Sequence, residues 1–150
     1  MERAEDPIPR RLRVLPSRLV NQVATSANRL VDQALAEPGL RRHHYSLLAA
    51  LEEFGPASQA ALGRRTGIDR SDIVAAVNEL AGRGLVERSP DPDDRRRNVV
   101  TVTPAGVRQL EELDRLLAGA QEELLASLTG AEREQLVGLL TRVADHQRSQ

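Results

Sequence analysis

The 150-residue sequence contains no cysteine and no tryptophan, and its aromatic side chains are one tyrosine and one phenylalanine. Without cysteine the chain forms neither a disulfide nor a thiolate zinc site, and it has no thiol with which to sense redox state. With so few rings it lacks the stacking surfaces that single-stranded nucleic acid needs, which argues against that partner. The core must therefore consist of Leu, Val and Ala, a composition typical of packed helices.

Lysine and long apolar segments are absent as well. All 21 basic residues are arginine, and with 22 acidic residues the net charge is −1. No stretch approaches the ~18 uninterrupted apolar residues of a membrane-spanning helix, and no apolar signal core follows Met1. We therefore expect a soluble, cytoplasmic protein without a membrane partner. Because the net charge is near zero, the distribution of arginine says more about partners than the sum does.

Both ends of the chain carry the pattern of amphipathic helices. Residues 1 to 13 are charged and contain two prolines, and we expect them to fray. From Pro16 to Pro38-Gly39 apolar residues recur at spacings of three and four, which indicates one helix. A similar pattern runs for some 25 residues from Val107, and a capping box at Thr129 starts a last helix. The residues of that last helix expected to face inward are Leu136, Leu139, Leu140 and Val143.

The middle of the chain predicts short helices followed by a β-hairpin. The predicted elements are helices at about 41–54, 58–67 and 69–84 and strands at 85–88 and 99–103. Ser58 and Asp69 are N-cap residues, and Gly67 and Gly84 end the corresponding helices. The side chains expected in the core are Leu47, Leu48, Leu51 and Phe54 of the first helix and Ile73, Val74, Val77 and Leu80 of the third.

This order of elements is that of a winged helix-turn-helix, in which a helix fits the major groove of DNA and a basic hairpin reaches the flanking minor groove. The predicted fold class is mainly α with a small β-hairpin wing. Within a single domain over residues 1–150, we expect a DNA-binding lobe at 41–106 and a helical dimerisation lobe formed by 14–38 and 107–148. A long apolar helix face in so short a chain pairs with a second copy of itself, which predicts a homodimer and a palindromic operator.

Three segments around the hairpin resemble the signature of the MarR-type winged-helix regulators. They are Gly84-Leu85-Val86-Glu87-Arg88, Asp91-Pro92-Asp93-Asp94-Arg95-Arg96 and Val100-Thr101-Val102-Thr103-Pro104-Ala105-Gly106. They are similar to the patterns G-L-V-x-R, D-x-x-D-x-R and L-T-x-x-G, with Val102 in place of the usual Leu. The spacing agrees without gaps, and the order of helices agrees across residues 15 to 146.

The resemblance implies a homodimer that binds duplex DNA and commonly represses a gene until a small anionic or phenolic ligand binds. Such ligands usually lie between the dimerisation helices and the winged lobe. One departure concerns the recognition helix, where many relatives carry Thr-Arg at the positions of Val74 and Ala75. The bases that this chain reads therefore cannot be transferred from relatives.

The hairpin tip contains the densest positive charge of the chain. We expect Arg96 to enter a narrow minor groove, with the Asp94 carboxylate orienting its side chain beforehand. Arg95 and Arg97 are expected to meet phosphates. The alternative is an ordinary solvated hairpin tip.

The first turns of the two central helices hold the other DNA-binding candidates. Arg70 and Ser71 begin the recognition helix, and Arg70 is suited to a bidentate contact with guanine or to a phosphate. Asp72 either returns a capping bond to the Asp69 amide, the interpretation we favour, or accepts from cytosine N4. Asn78 lies deeper and is expected to touch a base or a phosphate. The phosphate-binding candidates on the preceding helix are Ser58 and Gln59.

His43 and His44 are the clustered histidines of the sequence. Adjacent residues point about 100° apart on a helix, so this pair is poorly placed to bind one metal. A capping or interface role is favoured, and the alternative is a ligand pocket to which Tyr45 adds its hydroxyl. Because the resemblance places helix two beside the effector cleft, this second interpretation stays open.

Function classes separate on these features. We predict a regulator of transcription, with a winged-helix module for protein contact, without specific DNA binding, as the alternative. An enzyme is not expected, because no phosphate loop, nucleophile–base pattern or metal cluster can be identified. No cofactor is expected either. The predicted partners are double-stranded DNA, a second copy of the chain and a small-molecule effector of unknown identity.

Overall fold

Helices make up most of the protein, and a small antiparallel sheet lies near the middle of the chain. The computed structural model describes residues 6–150. Within that range the elements are α1 (Arg10–Arg13), α2 (Pro16–Ala36), α3 (Arg42–Phe54), β1 (Ala57–Ser58), α4 (Gln59–Thr66), α5 (Arg70–Gly82), β2 (Val86–Pro90), β3 (Asn98–Val102), α6 (Pro104–Leu124) and α7 (Gly130–Arg148). The predicted fold class, mainly α with a β-hairpin wing, is confirmed.

Local capping decides where several helices begin and end. Ser58 Oγ accepts a hydrogen bond from the Ala61 amide at 3.1 Å and starts α4. Thr129 and Glu132 form the predicted capping box of α7, with Glu132 Oε1 accepting from the Thr129 amide at 2.9 Å. Gly84 has a φ of +72°, so it ends the α5 turn in a conformation that side chains disfavour.

The sheet has the strand order β1-β3-β2, and each neighbouring pair is antiparallel. Strands β2 and β3 form the predicted wing hairpin. The short strand β1 was not predicted from the sequence; it pairs Ala57 with Val100 and Ser58 with Val99. Because Ser58 also caps α4, this pairing fixes the wing to the start of the helix-turn-helix.

The core lies between α3, α4, α5, the sheet and the first half of α6. Its largest fully buried side chains are Leu35, Leu47, Leu48, Leu51, Leu62, Ile73, Leu80, Leu113, Val77, Val86 and Val100. All of these are aliphatic, as expected of a sequence with two aromatic residues. The imidazole of His44 is buried with them. Helix α2 packs along α6 beside this core.

Two apolar side chains that we expected in the core are exposed. Phe54 is 59% exposed because it is the last residue of α3, where the chain turns at Gly55, and its ring lies beyond the core. The Arg65 guanidinium lies 5.2 Å from the centre of that ring, a cation–π contact. Val74 is 38% exposed, because α5 turns Ala76 toward the core instead.

The two ends of the chain also differ from expectation. A helical turn forms at Arg10–Arg13, so the expected fraying of residues 1 to 13 is wrong there, while residues 1–5 lie outside the described range. Helix α6 ends at Leu124, four residues short of the predicted pattern. In the described chain α7 has no buried residue, and Leu139, Leu140 and Val143 are 48–60% exposed rather than facing inward. None of the helices between residues 6 and 150 combines the length and hydropathy needed to cross a bilayer.

Gly106 provides a test of how α6 packs on the wing. A Cβ atom there would lie 2.1 Å from the Leu85 carbonyl oxygen, so Gly106→Ala is expected to lower the free energy of unfolding by about 2–3 kcal/mol. Gly119→Ala is the control in the same helix: its Cβ meets no atom within 4 Å, and alanine is expected to stabilise by about 0.5–1 kcal/mol. Urea denaturation measures the free energy of unfolding of both variants. If Gly106→Ala is as stable as Gly119→Ala, this packing is contradicted.

Candidate nucleic-acid interface

Helix α5, the predicted recognition helix, buries one side and exposes the other. The buried stripe consists of Ile73, Ala76, Val77 and Leu80. The exposed residues of its first two and a half turns are Arg70, Ser71, Asp72, Val74, Ala75 and Asn78. Because residues three and four apart share a helix face, the core contacts on one side determine which side chains face away from it.

A cleft of about 440 Å³ lies between α4, α5 and the wing. Its lining residues are Ser58, Gln59, Ala60, Arg64, Arg70, Arg97 and Asn98. The structure thus brings together four predicted DNA-binding residues from three separate elements. In the described part of the chain this lining holds three arginines and no acidic residue, so it favours an anion. Arg64 of α4 also belongs to this cleft.

The wing tip is shaped by Asp94. Its Oδ1 accepts from the Arg96 amide at 3.0 Å, and its backbone carbonyl accepts from the Arg97 amide at 2.9 Å. The ion pairs of Asp94 are longer than these hydrogen bonds. Arg96 Nε lies 3.9 Å and Arg97 Nε 3.7 Å from the Asp94 carboxylate. Asp94 therefore organises the backbone of the turn, while the Arg96 side chain is 95% exposed. Arg95 is exposed beside it.

Asp72 does not cap α5. In the described residues neither the Asp69 side chain nor a returning Asp72 carboxylate forms the capping bonds that we favoured, so that interpretation is wrong. Asp72 instead lines a second cleft, on the side of α5 that faces α2 and α3. The physical reason is the helix period: Asp72, Ala75 and Ala76 share one side of α5.

Asn78 is held by a residue of the wing hairpin. Arg88 of β2 donates a hydrogen bond from Nη2 to Asn78 Oδ1. This bond ties the wing to α5 across the sheet edge. The sequence shows Arg88 as part of the Gly84–Arg88 segment, but it does not show that Arg88 contacts Asn78. The two residues belong to different elements, so no spacing predicts their contact.

The second cleft, of about 630 Å³, is lined by residues of α2, the start of α3 and α5. Its cations are already paired. Arg42 Nε lies 3.0 Å from Asp32 Oδ1, and Arg42 Nη1 donates to Asn28 Oδ1 at 2.9 Å. Arg41 Nη2 donates to both carboxylate oxygens of Glu79 at 2.7 and 2.8 Å. This contact with Arg41 lowers the pKa of the Glu79 carboxyl below its usual value.

His44 is buried at the junction of α3 and α5, with 2% of its surface exposed. Its Nδ1 accepts from the Arg41 amide at 3.0 Å, which caps α3, and its Nε2 lies 2.7 Å from Glu79 Oε2. That second contact is short but poorly aligned for a hydrogen bond. Burial lowers the pKa of His44, against the opposing pull of Glu79. Because Nδ1 accepts a bond, the imidazole here is neutral with its proton on Nε2.

The three residues considered for a ligand pocket face three different surroundings. His43 is exposed and lines the second cleft. Tyr45 donates its hydroxyl to Asp114 Oδ1 of α6 at 2.7 Å, and this bond raises the pKa of Tyr45 to about 12. His44 is buried at the α3–α5 junction, where it contacts Arg41 and Glu79. Among residues 6–150, no three His, Asp or Glu side chains converge in a way that would hold a metal ion.

Comparisons with known proteins agree with this geometry. A sequence model of the MarR family matches residues 39–97. The chain is 38% identical over 106 residues to a putative transcriptional regulatory protein for the hcr operon of Thauera aromatica, over 71% of this chain and 61% of that protein. It is 34% identical to the HTH-type transcriptional repressor NicR of Pseudomonas putida, over 77% of this chain and 73% of NicR. The match thus spans less than two thirds of the first relative.

A solved structure supports the same fold. The structure concerns regulation of DNA binding of Bordetella bronchiseptica BpsR by 6-hydroxynicotinic acid, and it superimposes with a TM-score of 0.79. Sequence identity is 26%, and the match covers 93% of this chain and 99% of that one. Relatives named as transcriptional regulators point to a regulatory rather than an enzymatic role.

The burial of His44 predicts how stability depends on pH. Its pKa in the folded chain lies below the unfolded value of 6.5, so the unfolded chain binds more protons as the pH falls. The free energy of unfolding is expected to decrease below pH 6.5, by at most about 1.4 kcal/mol per pH unit for one group. Because the pKa of Glu79 is lowered, its contribution to the free energy of unfolding is lost only below pH 4.5, a separate pH range.

Urea denaturation between pH 7.5 and 5.5 measures this dependence. His44→Gln is expected to be less stable at pH 7.5 and to have a flatter pH dependence than the unmodified chain. The exposed neighbour gives the control, since His43→Gln is expected to leave the slope unchanged. A slope that persists in His44→Gln would show that another group titrates.

Proposed function

We propose that this chain, which belongs to the MarR family of transcriptional regulators, is a homodimer that binds duplex DNA at a palindromic operator and represses transcription. One observation carries the proposal: arginines of α4, α5 and the wing meet in a single cleft beside the exposed side of α5. We propose that it acts in the cytoplasm, where bacterial DNA lies.

Duplex DNA fits this surface in shape and charge. The exposed side of α5 has the width that the major groove admits, and the wing projects beside it toward the adjoining minor groove. Arg64, Arg70 and Arg97 then face phosphates, with Ser58 and Gln59 at the start of α4 contributing polar groups. We propose that Arg96, at the exposed wing tip, enters the minor groove and that Arg95 contacts a phosphate.

Dimer formation is supported by apolar surface at the two ends of the chain. The large apolar side chains left exposed there are Ile8, Leu12, Val14, Leu15, Leu19, Val20, Val23, Val137, Leu139, Leu140 and Val143. Exposed apolar surface of this extent marks an interface in a water-soluble protein. A second copy related by a two-fold axis covers both sets at once and presents two wings to the two halves of a palindrome.

A small-molecule effector is proposed to bind the second cleft. A molecule there contacts α2, the start of α3 and, through Asp72, Ala75 and Ala76, the helix that faces DNA. Binding is therefore coupled to the position of α5 by direct contact. The structural relative BpsR, whose DNA binding 6-hydroxynicotinic acid regulates, makes such control a reasonable expectation here. Of the two clustered histidines, His43 lines this cleft, and we propose that it contacts the ligand.

The DNA-binding proposal is tested at the wing. Arg96→Ala is expected to weaken binding to a selected operator about tenfold, because the substitution removes a cation from the groove. Arg115→Ala is the control: this exposed arginine lies on α6, 11 residues beyond Pro104 and so about 16 Å along the helix. Fluorescence anisotropy at fixed salt measures both affinities. Equal affinity of the two variants, or binding without sequence preference, would contradict the proposal.

The dimer is tested on α7. Leu140→Glu is expected to raise the dissociation constant of the dimer more than about a hundredfold, because an unpaired carboxylate buried in an interface costs about 3 kcal/mol or more. Gly138→Glu adds the same charge two residues away on the opposite side of the helix, where a Cβ meets no atom within 4 Å. Sedimentation equilibrium measures the mass. A Leu140→Glu variant that stays dimeric would place the interface elsewhere.

A further inference from the structure

Val74 is a large apolar side chain that the fold leaves 38% exposed on α5. The core takes Ala76 in its place, so packing within the chain does not account for a valine here. The position also lies outside the terminal helices, whose exposed apolar residues are assigned to the dimer. This apolar group on the helix proposed to face DNA is therefore available to contact a partner outside the protein.

Val74 lies in a row with two polar residues. Arg70 precedes it by four residues and Asn78 follows it by four, and on a helix such residues lie one above another on the same face. All three are exposed. The row thus runs from a cation at the helix start, through an apolar group, to an amide.

The amide at the end of the row has a defined orientation. Because Arg88 has donors and no acceptor, the Asn78 atom that it contacts is the carbonyl oxygen, Oδ1. The amide nitrogen is then left to donate. The row therefore ends in a donor held in place from the wing side.

The surroundings of the row favour a nucleic acid. Arg70 also lines the cationic cleft, with Arg64 and Arg97, so phosphates are attracted alongside the row. At the base edges of the major groove, the apolar group is the C5 methyl of thymine. A valine one turn inside a helix that enters this groove has that methyl as its matching contact.

We propose that Val74 contacts the C5 methyl of a thymine and makes thymine the preferred base at one position of each operator half-site. The inference rests on the proposed function, since it requires that α5 enters the major groove. It differs from that proposal in naming one base, one atom and the side chain that reads it.

The test removes the methyl group and nothing else. Operators are first obtained by selecting random duplexes with the full-length protein. Each thymine of the selected site is then replaced, one at a time, by deoxyuridine, and the affinity is measured by anisotropy. At one thymine per half-site we expect the loss of the methyl to weaken binding roughly fourfold, the effect of exposing one buried methyl group.

Two variants connect that effect to the side chain. Val74→Ala is expected to lose most of the preference for the thymine over the deoxyuridine operator, because the two γ methyl groups that reach the base are gone. Val74→Thr keeps one methyl and the shape of valine, and is expected to keep a preference for thymine. Because Val74 is exposed and alanine favours a helix, both variants should fold, which thermal unfolding verifies.

Two negative results are distinguishable. A selection that enriches no sequence would overturn the proposed function and this inference with it. A selected site that tolerates deoxyuridine at every thymine, or a methyl effect that persists unchanged in Val74→Ala, would overturn the inference alone. In the second case Arg96→Ala would still weaken binding, because the wing contact does not depend on Val74.

Discussion

The burial of one stripe of α5 decides which way the candidate DNA-binding side chains of this helix face. Ile73, Val77 and Leu80 are fully buried and Ala76 is 3% exposed, each in contact with the common core. Burying one large aliphatic side chain contributes about 1.5–3 kcal/mol, so rotating this helix would cost several such contributions. With the stripe held, Arg70 and Asn78 face outward, and Asp72 faces the cleft between α5 and α3.

Polar contacts then hold the helix from its two sides. Glu79 is bound by Arg41 and approached by His44 on α3, while Asn78 accepts from Arg88 on β2. Since consecutive residues of a helix point about 100° apart, these adjacent positions connect α5 to two different neighbours. Helix α5 consequently forms one wall of each of the two clefts. Under the proposed function, a ligand in the cleft beside α3 would contact the same helix that faces DNA, which is the geometry that ligand control of DNA binding requires.

The predictions from sequence mostly succeeded where the interaction is local, although the capping bonds expected of Asp69 and Asp72 do not form in the described residues. Ser58 and Thr129 were identified as caps because a cap bonds an amide two or three residues away. Predictions that required knowing a neighbour failed. Phe54 and Val74 fit an apolar spacing, but Phe54 lies at the end of α3, beyond the core, and Val74 lies at the edge of the buried face of α5. Leu140 was expected to face inward, but within residues 6–150 α7 buries no side chain, and Leu140 is 48% exposed.

The sequence by itself therefore determined the order and ends of most elements, the position of the wing and the family resemblance, since all of these depend on residues close together in the chain. Only the tertiary structure decided which side chains share a surface. The meeting of Arg64, Arg70 and Arg97, the bond from Arg88 to Asn78 and the exposure of Val74 each join residues or environments from separate elements. Spacing along a chain carries no information about such contacts, because they arise when helices and strands pack.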